Sequence, residues 1–247
     1  MTNIKMIKVQ TYRAIPLLSP VDSEKLFRKM DTEWFRVAVN GMYNSNKERL
    51  HKAGVNTEIF HNHDEKTGKT KPGYPLISYH KFLCQFYLVC INNGVDTVNE
   101  LLVDIIHPVK VDKNIYLKFE KTRSEEIEIM NTDISHHYSI TDWLPLNSEK
   151  YQKFISLSLI EKIKELETIL HTNIVSDFAK YLELDLSKTK VSIMNIDLFN
   201  RGCLQYKGHD YLPFSLEFEA NVNFPENITL GNGKAFGFGR VNKHSSN

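Results

Sequence analysis

The sequence predicts an α+β protein of two consecutive units, each an antiparallel sheet with helices on one face. Three observations predict it. The first 120 residues follow strand-type and helix-type patterning in the order strand, helix, strand, strand, helix, strand. The segment Phe214 to Phe224 alternates apolar and polar residues at every step, as a strand with one dry and one wet face must. At 247 residues the chain also exceeds the roughly 100–200 of a usual domain, which allows two cores.

Ile4 to Tyr12 reads as a strand. Asp22 to Met30 and Glu33 to Tyr43 carry helical spacing, with Trp34, Phe35, Val37, Ala38 and Met42 as the apolar side of the second. Lys52 to Gly73 is polar and reads as a long exposed connection, a place where function often sits. Tyr74 to Tyr79 and Phe82 to Ile91 are aromatic and branched, as two paired strands should be, and Asn92-Asn93-Gly94 marks a turn. Thr97-x-x-Glu100 has capping-box spacing and opens a helix running to His107 before Pro108. Ile115, Leu117 and Phe119 alternate in a further strand. This βαββαβ order is the split pairing of a ferredoxin-like domain, which leaves the second face of the sheet open for a partner.

In the second half, Ile127 to Met130 and His137 to Ile140 read as short strands. A helix from Ser148 to His171 buries Ile155, Leu159, Ile163, Leu166 and Leu170, and a further helical segment reaches Tyr181. Strands follow at Val191 to Phe199, Leu204 to Lys207 and Leu212 to Phe224. The two halves read as copies of one α+β unit joined near Lys110 to Asn114 or Glu120 to Ser124, and are divided as residues 1–120 and 121–247; the second half follows the pattern less closely than the first.

Composition narrows the function. Thirty-one basic against 30 acidic side chains leave a net charge of +1, which excludes a grip on nucleic acid through bulk positive charge but leaves room for a local basic stripe. With 41% hydrophobic and 25% charged residues the chain is of globular type, and it has neither an apolar run of about 18 residues nor a signal-peptide core, so a cytoplasmic protein without membrane association is expected. Cys84, Cys90 and Cys203 form no C-x-x-C pair and read as buried thiols.

Directly after the strongest strand comes Leu230-Gly231-Asn232-Gly233-Lys234-Ala235-Phe236-Gly237-Phe238-Gly239-Arg240-Val241. Its four glycines permit positive φ and close backbone approach, so successive amides can face a phosphate, with Lys234 and Arg240 adding charge. The segment lacks the Lys-Ser/Thr of a P-loop, and too little chain follows it for the helix of a dinucleotide fingerprint. A tight hairpin at a sheet end is the alternative reading.

At this position in the chain, the segment resembles the C-terminal glycine-rich loop of the RAMP superfamily of CRISPR-associated RNA-binding proteins, and most nearly that of the repeat-processing endoribonuclease, the sixth Cas family, in its compact variant. Phe214-x-Leu216-x-Phe218-x-Ala220-Asn221-x-Asn223-Phe224-Pro225 leading into Leu230-Gly231 looks like the end of that variant. Phe60-His61-Asn62-His63 followed by Tyr74-Pro75-Leu76-Ile77-Ser78-Tyr79 looks like its first half. The chain departs from the pattern at Thr229, where many relatives carry a further glycine. The resemblance implies tandem ferredoxin-like, RRM-like domains that bind CRISPR repeat RNA and cut the precursor once per repeat. It further implies a metal-independent cut leaving a 2′,3′-cyclic phosphate and a 5′-hydroxyl, with no cofactor.

Such a cut needs one group to take the ribose 2′-OH proton and another to protonate the leaving 5′ oxygen. Histidine suits both because its ordinary pKa of about 6.5 keeps both forms populated near neutrality. His61 and His63 are spaced by two and share one side if their stretch is extended, and the family carries its catalytic histidine at this place in the chain; which is acid and which is base stays open. Lys69 and Lys71 are the candidate phosphate ligands, and Tyr43 a candidate for orienting the ribose. RNA contact is assigned to Gly231, Gly233, Gly237 and Gly239 with Lys207, Lys234 and Arg240 near them.

A metal reading of His61 and His63 with Asp64 and His80 is the competing chemistry, though no metal is assigned. His136 and His137 point apart on a strand; these and the remaining histidines read as structural, and His209 as a turn residue, with RNA contact from a hairpin tip as its alternative. The rival function is a non-catalytic RAMP subunit holding crRNA in an effector complex, with other Cas subunits or a second copy of the chain as further partners. A small-molecule or metal-binding α+β protein is the third.

Overall fold

The computed structural model describes residues 5–18, 20–55, 57–60, 73–103, 109–112, 115–197, 204–206 and 209–244. The chain divides into two compact units. One holds residues 7–127 together with 235–237, the other residues 1–6, 128–234 and 238–247.

The first unit runs β1 (Met6–Pro16), α1 (Pro20–Lys29), α2 (Thr32–Ser45), α3 (Lys47–Lys52), a 3-10 turn (Thr57–Phe60), β2 (Ile77–Phe82), β3 (Gln85–Ile91), α4 (Asn93–Val103), β4 (Val109–Asp112) and β5 (Ile115–Glu128). Its sheet has the order β2-β3-β1-β5-β4. With the short β4 set aside, this is the ferredoxin-like order, in which β3 pairs antiparallel with both β1 and β2. Tyr12, Ala14, Ile77, Tyr79, Phe86 and Leu88 face a core closed by Phe27, Phe35, Val39, Val95, Val98 and Leu101 of the helices. Phe35 stacks on Phe86 at 4.9 Å. The opposite face is not the open surface expected: Ile7, Val9, Thr11, Ser78, His80, Val89 and Ile91 are all buried.

Several boundaries differ from expectation, each for a local reason. α2 is capped by Asp31, whose carboxylate accepts from the Trp34 amide at 2.8 Å, but Val37 on its expected apolar side is 57% exposed. α4 begins at Asn93, so Thr97 is a buried mid-helix residue and not a cap. The early start is permitted by Gly94, where a Cβ would overlap the Leu76 carbonyl. The expected single strand from Phe82 is split by a two-residue hairpin turn in which Leu83 and Cys84 take φ of 46° and 58°. β5 extends well past Phe119; residues 120–124 are exposed on both faces, so no hydrophobic period marks the extension in the sequence.

The second unit runs β6 (Asn131–Trp143), α5 (Ser148–Ile155), α6 (Leu159–Thr172), a π-helical segment (Asn173–Ala179), α7 (Lys180–Leu182), β7 (Val191–Asp197), β8 (Leu204–Tyr206), β9 (His209–Tyr211), β10 (Phe214–Val222) and β11 (Arg240–Lys243). The order β11-β6-β10-β7 repeats the ferredoxin-like pattern, while β8 and β9 pair as a separate hairpin that places His209 in a strand. Of the two short strands expected, His137 to Ile140 lies within β6, while only the first two residues of Ile127 to Met130 are strand, as the end of β5. β10 keeps the predicted alternation: Phe214, Leu216, Phe218, Ala220 and Val222 are buried and the residues between them half-exposed.

The expected helix from Ser148 to His171 is two helices. Ser158 caps the second, its hydroxyl and amide meeting Glu161 in a capping box. Ile155 and Leu159 flank the break and are 46% and 67% exposed, so they leave the buried stripe. From α6 onward the stripe is Leu166, Leu170, Ile174, Phe178 and Leu182, in steps of four. Such steps overrun a 3.6-residue turn by about 40° each, and the wider π turn takes up that drift, holding the stripe against the sheet.

Candidate functional site

The glycine-rich segment stands where the first unit has α4. Between β10 and β11 the helical content is a single 3-10 turn, Lys234–Phe236. The neck is a hairpin: the Leu230 amide donates to the Gly239 carbonyl at 2.9 Å, the Val241 amide to Ile228 at 2.8 Å and the Gly239 amide to Asp142 at 3.2 Å. Thr229 is fully buried, and its hydroxyl donates to the Lys234 carbonyl at 3.0 Å, tying the neck across the loop. The side-chain amide of Asn232 donates to the Leu144 carbonyl at 2.9 Å.

Gly231, Gly233, Gly237 and Gly239 all have positive φ, between 68° and 85°. A Cβ at any of them would come within 3.0 Å of a neighbouring atom, and two of these contacts lie at the neck. A Cβ on Gly239 would overlap the Leu230 carbonyl, and one on Gly231 would come within 2.6 Å of Trp143 Nε1 and 3.1 Å of Asn173 Oδ1. That indole N–H donates to Asn173 at 3.1 Å, so Gly231 lies against a hydrogen bond between the end of β6 and the first π-helical residue. Lys234 Nζ lies 3.4 Å from Asp177 in the π-helical segment, with its side chain 17% exposed. Arg240 opens β11 opposite Thr141.

His61, His63, Asp64, Lys69, Lys71 and Lys207 lie outside the described residues, but the first unit describes the chain on either side of the histidine stretch. Phe60, directly before His61, is 3% exposed and stacks on Tyr43 at 4.9 Å and 21°. The Tyr79 hydroxyl reaches the Phe60 carbonyl at 3.5 Å, and burial pushes that phenol above its ordinary range, which keeps it a donor. Beyond the stretch the chain re-enters at the buried Tyr74. Tyr43, a candidate for orienting a ribose from sequence, is 1% exposed and serves as the aromatic support of Phe60.

Residues 235–237 pack with this same unit. A Cβ on Gly237 would lie 2.9 Å from the Tyr79 carbonyl and 3.1 Å from His80 Cα, and the Arg36 guanidinium lies 5.1 Å over the Phe236 ring. Tyr79 is therefore common to both features: its hydroxyl holds the residue before His61, and its backbone meets the apex of the glycine-rich segment. His80, named in the metal reading, is buried with Nε2 2.8 Å from Ser78 Oγ.

One grouping escapes sequence reasoning. His137 and His244 stack with ring centroids 4.4 Å apart at 15°, and His137 Nε2 lies 3.6 Å from Glu217 Oε2. No local motif announces it, because each residue comes from a different part of the chain. Adjacent His136 points away, as read from sequence, 3.2 Å from Thr132 Oγ1, and its pKa is lowered by burial and then by Lys243.

A family profile for the Cas6b N-terminal domain matches residues 42–129, and one for the Cas6b C-terminal domain matches residues 129–244. An uncharacterized protein of Methanocaldococcus jannaschii is 31% identical over 124 residues, spanning 50% of this chain and 81% of that protein. Among solved structures, a crystal structure of Cas6b is similar at a TM-score of 0.67 and 19% identity, covering 97% of this chain and 100% of that one. The crystal structure of a CRISPR RNA processing endoribonuclease, Cas6b, follows at a TM-score of 0.59 and 19% identity, over 96% and 100%. At that identity the likeness is one of fold: tandem ferredoxin-like domains.

Proposed function

The chain belongs to the Cas6b family, and on that premise we propose that it is a cytoplasmic endoribonuclease that cuts CRISPR precursor RNA within its repeats. One histidine of the pair His61 and His63 removes the proton from the ribose 2′-OH, and that oxygen attacks the adjacent phosphorus. The P–O5′ bond breaks as the other histidine protonates the departing 5′ oxygen, leaving a 2′,3′-cyclic phosphate and a 5′-hydroxyl. Every proton is accounted for by these two side chains, and the step calls on no metal. Lys69 and Lys71 hold the phosphate charge, while the segment from Gly231 to Arg240, with Lys207, contacts the RNA backbone.

The observation that carries this reading is the sharing of Tyr79. The residue preceding His61 is buried and stacked on Tyr43 with the Tyr79 hydroxyl 3.5 Å from its carbonyl, and Gly237 of the glycine-rich segment packs on the Tyr79 backbone. A catalytic pair on a polar stretch needs a rigid root close to the surface that holds its substrate, and Phe60 supplies one.

The test is to incubate the protein with labelled repeat RNA in excess EDTA and to map the product ends. One cut per repeat with a cyclic phosphate terminus is expected, with His61→Ala and His63→Ala each reducing single-turnover cleavage by about two orders of magnitude or more. Full cleavage by both variants removes the pair from the mechanism. Binding without any cleavage moves the assignment to a crRNA-holding subunit. Affinity should fall steeply with salt, because backbone contacts release counterions.

A further inference from the structure

On the half-exposed polar face of the second unit's sheet, three adjacent strands bring together two imidazoles and a carboxylate. His137 projects from β6, Glu217 from β10, and His244 follows β11 directly, with its amide donating to the His137 carbonyl at 2.9 Å. One ligand-type atom from each of the three lies within 4.8 Å of the others. His137 Nε2 and Glu217 Oε2 are 3.6 Å apart, close to the edge of about 3.4 Å that a tetrahedral zinc with bonds near 2.1 Å requires. His244 Nε2 is shielded from solvent and has no hydrogen-bond partner among the described residues. Such an atom ordinarily has a partner.

We propose that His137, Glu217 and His244 bind a divalent transition metal, with Zn²⁺ the cation that best suits two imidazoles and one carboxylate. The backbones are fixed by pairing of β6 with both β10 and β11, and binding requires the stacked rings of His137 and His244 to turn until a nitrogen of each faces the ion. None of the three belongs to the pair to which the cleavage step is assigned. The metal's effect is structural. β11 is a four-residue edge strand that closes the glycine-rich segment, and a metal joining His244 to His137 and Glu217 clamps that strand to the two beside it.

Co²⁺ titration of the full chain, stripped with chelator, tests this through the visible d–d absorption of a four-coordinate site, with Zn²⁺ as competitor. One equivalent should bind and raise the melting temperature. His137→Ala and His244→Ala should each weaken binding by about a hundredfold and abolish the thermal shift, and Glu217→Gln, which keeps the side-chain volume, by about tenfold or more. His136→Ala, and the double variant His61→Ala/His63→Ala, should retain the full equivalent. Absence of saturable binding to the wild-type chain overturns the proposal, as does Co²⁺ binding that is unchanged in His137→Ala and His244→Ala.

Discussion

One connection in each unit takes the backbone through left-handed conformation, and the two do so with different residues. In the first unit the turn between β2 and β3 is made by Leu83 and Cys84. In the second, the glycine-rich stretch from Leu230 to Val241 uses glycine at Gly231, Gly233, Gly237 and Gly239. Positive φ is therefore not by itself what selects glycine. It costs an ordinary residue about 1–2 kcal/mol, which an exposed turn bears, and Leu83 is 80% exposed. Glycine becomes obligatory where the space of a Cβ is already filled, as it is at Gly239 by the Leu230 carbonyl and at Gly231 by the Trp143 indole. The lesson for the glycine-rich segment is that part of its glycine content builds the neck and seats it on β6 and the π-helical segment, whatever the apex then binds.

This contrast can be broken by substitution, and each unit has its own reporter, Trp34 in the first and Trp143 in the second. Gly239→Ala combines left-handed strain with a collision against backbone that no rotamer relieves; urea denaturation followed by Trp143 fluorescence should show a loss of about 3–5 kcal/mol. A loss below about 1 kcal/mol would mean that the neck is not as tightly closed as described. Gly231→Ala should cost about 2–3 kcal/mol in the same assay, because the indole yields only by giving up its bond to Asn173. In the first unit the sign reverses. Leu83→Asn with Cys84→Gly should stabilise by about 1–2 kcal/mol, read from Trp34, since both replacements suit the turn. Gly41→Ala, in mid-α2 with nothing within 4 Å of the added carbon, should stabilise by about 0.5–1 kcal/mol.

The finest contrast is electrostatic. Hydrogen bonds from Ser158 hold the Glu161 carboxyl below its ordinary range. A depressed folded-state pKa contributes stability that is complete above the unfolded value and is lost as pH falls through the folded one. Ser158→Ala should return the Glu161 titration, followed by carboxyl NMR, toward the ordinary carboxylate range, and should flatten that acid-side loss. An unmoved titration would break the link between cap and carboxylate.

Legibility in the sequence followed solvation. β10 could be read residue by residue because one of its faces is dry and the other wet, and the helix around Leu166 and Leu170 because its buried side keeps a steady step. Residues 120–124 of β5 could not, since a stretch of strand exposed on both faces has no period to display. The turn at Leu83 and Cys84 was hidden for the opposite reason: two apolar residues between apolar strands look like strand. Of the candidate site residues, the motif Gly231 to Gly239 and the pair His61 and His63 stand out as letters. The support of Phe60 by Tyr43 and Tyr79, and the grouping of His137 with Glu217 and His244, do not.

By itself the sequence determined two α+β units, the alternating strand before the glycines, and the family to which the glycine-rich end belongs, because these depend on periodicity and on local motifs. Tertiary structure alone decided that Thr229 ties the neck to Lys234, that Lys234 sits beside Asp177, that Gly231 is set by an indole, and that Tyr79 holds the residue before His61. Each of these joins positions through space, and a local pattern carries no information about which distant side chain will occupy the volume next to it.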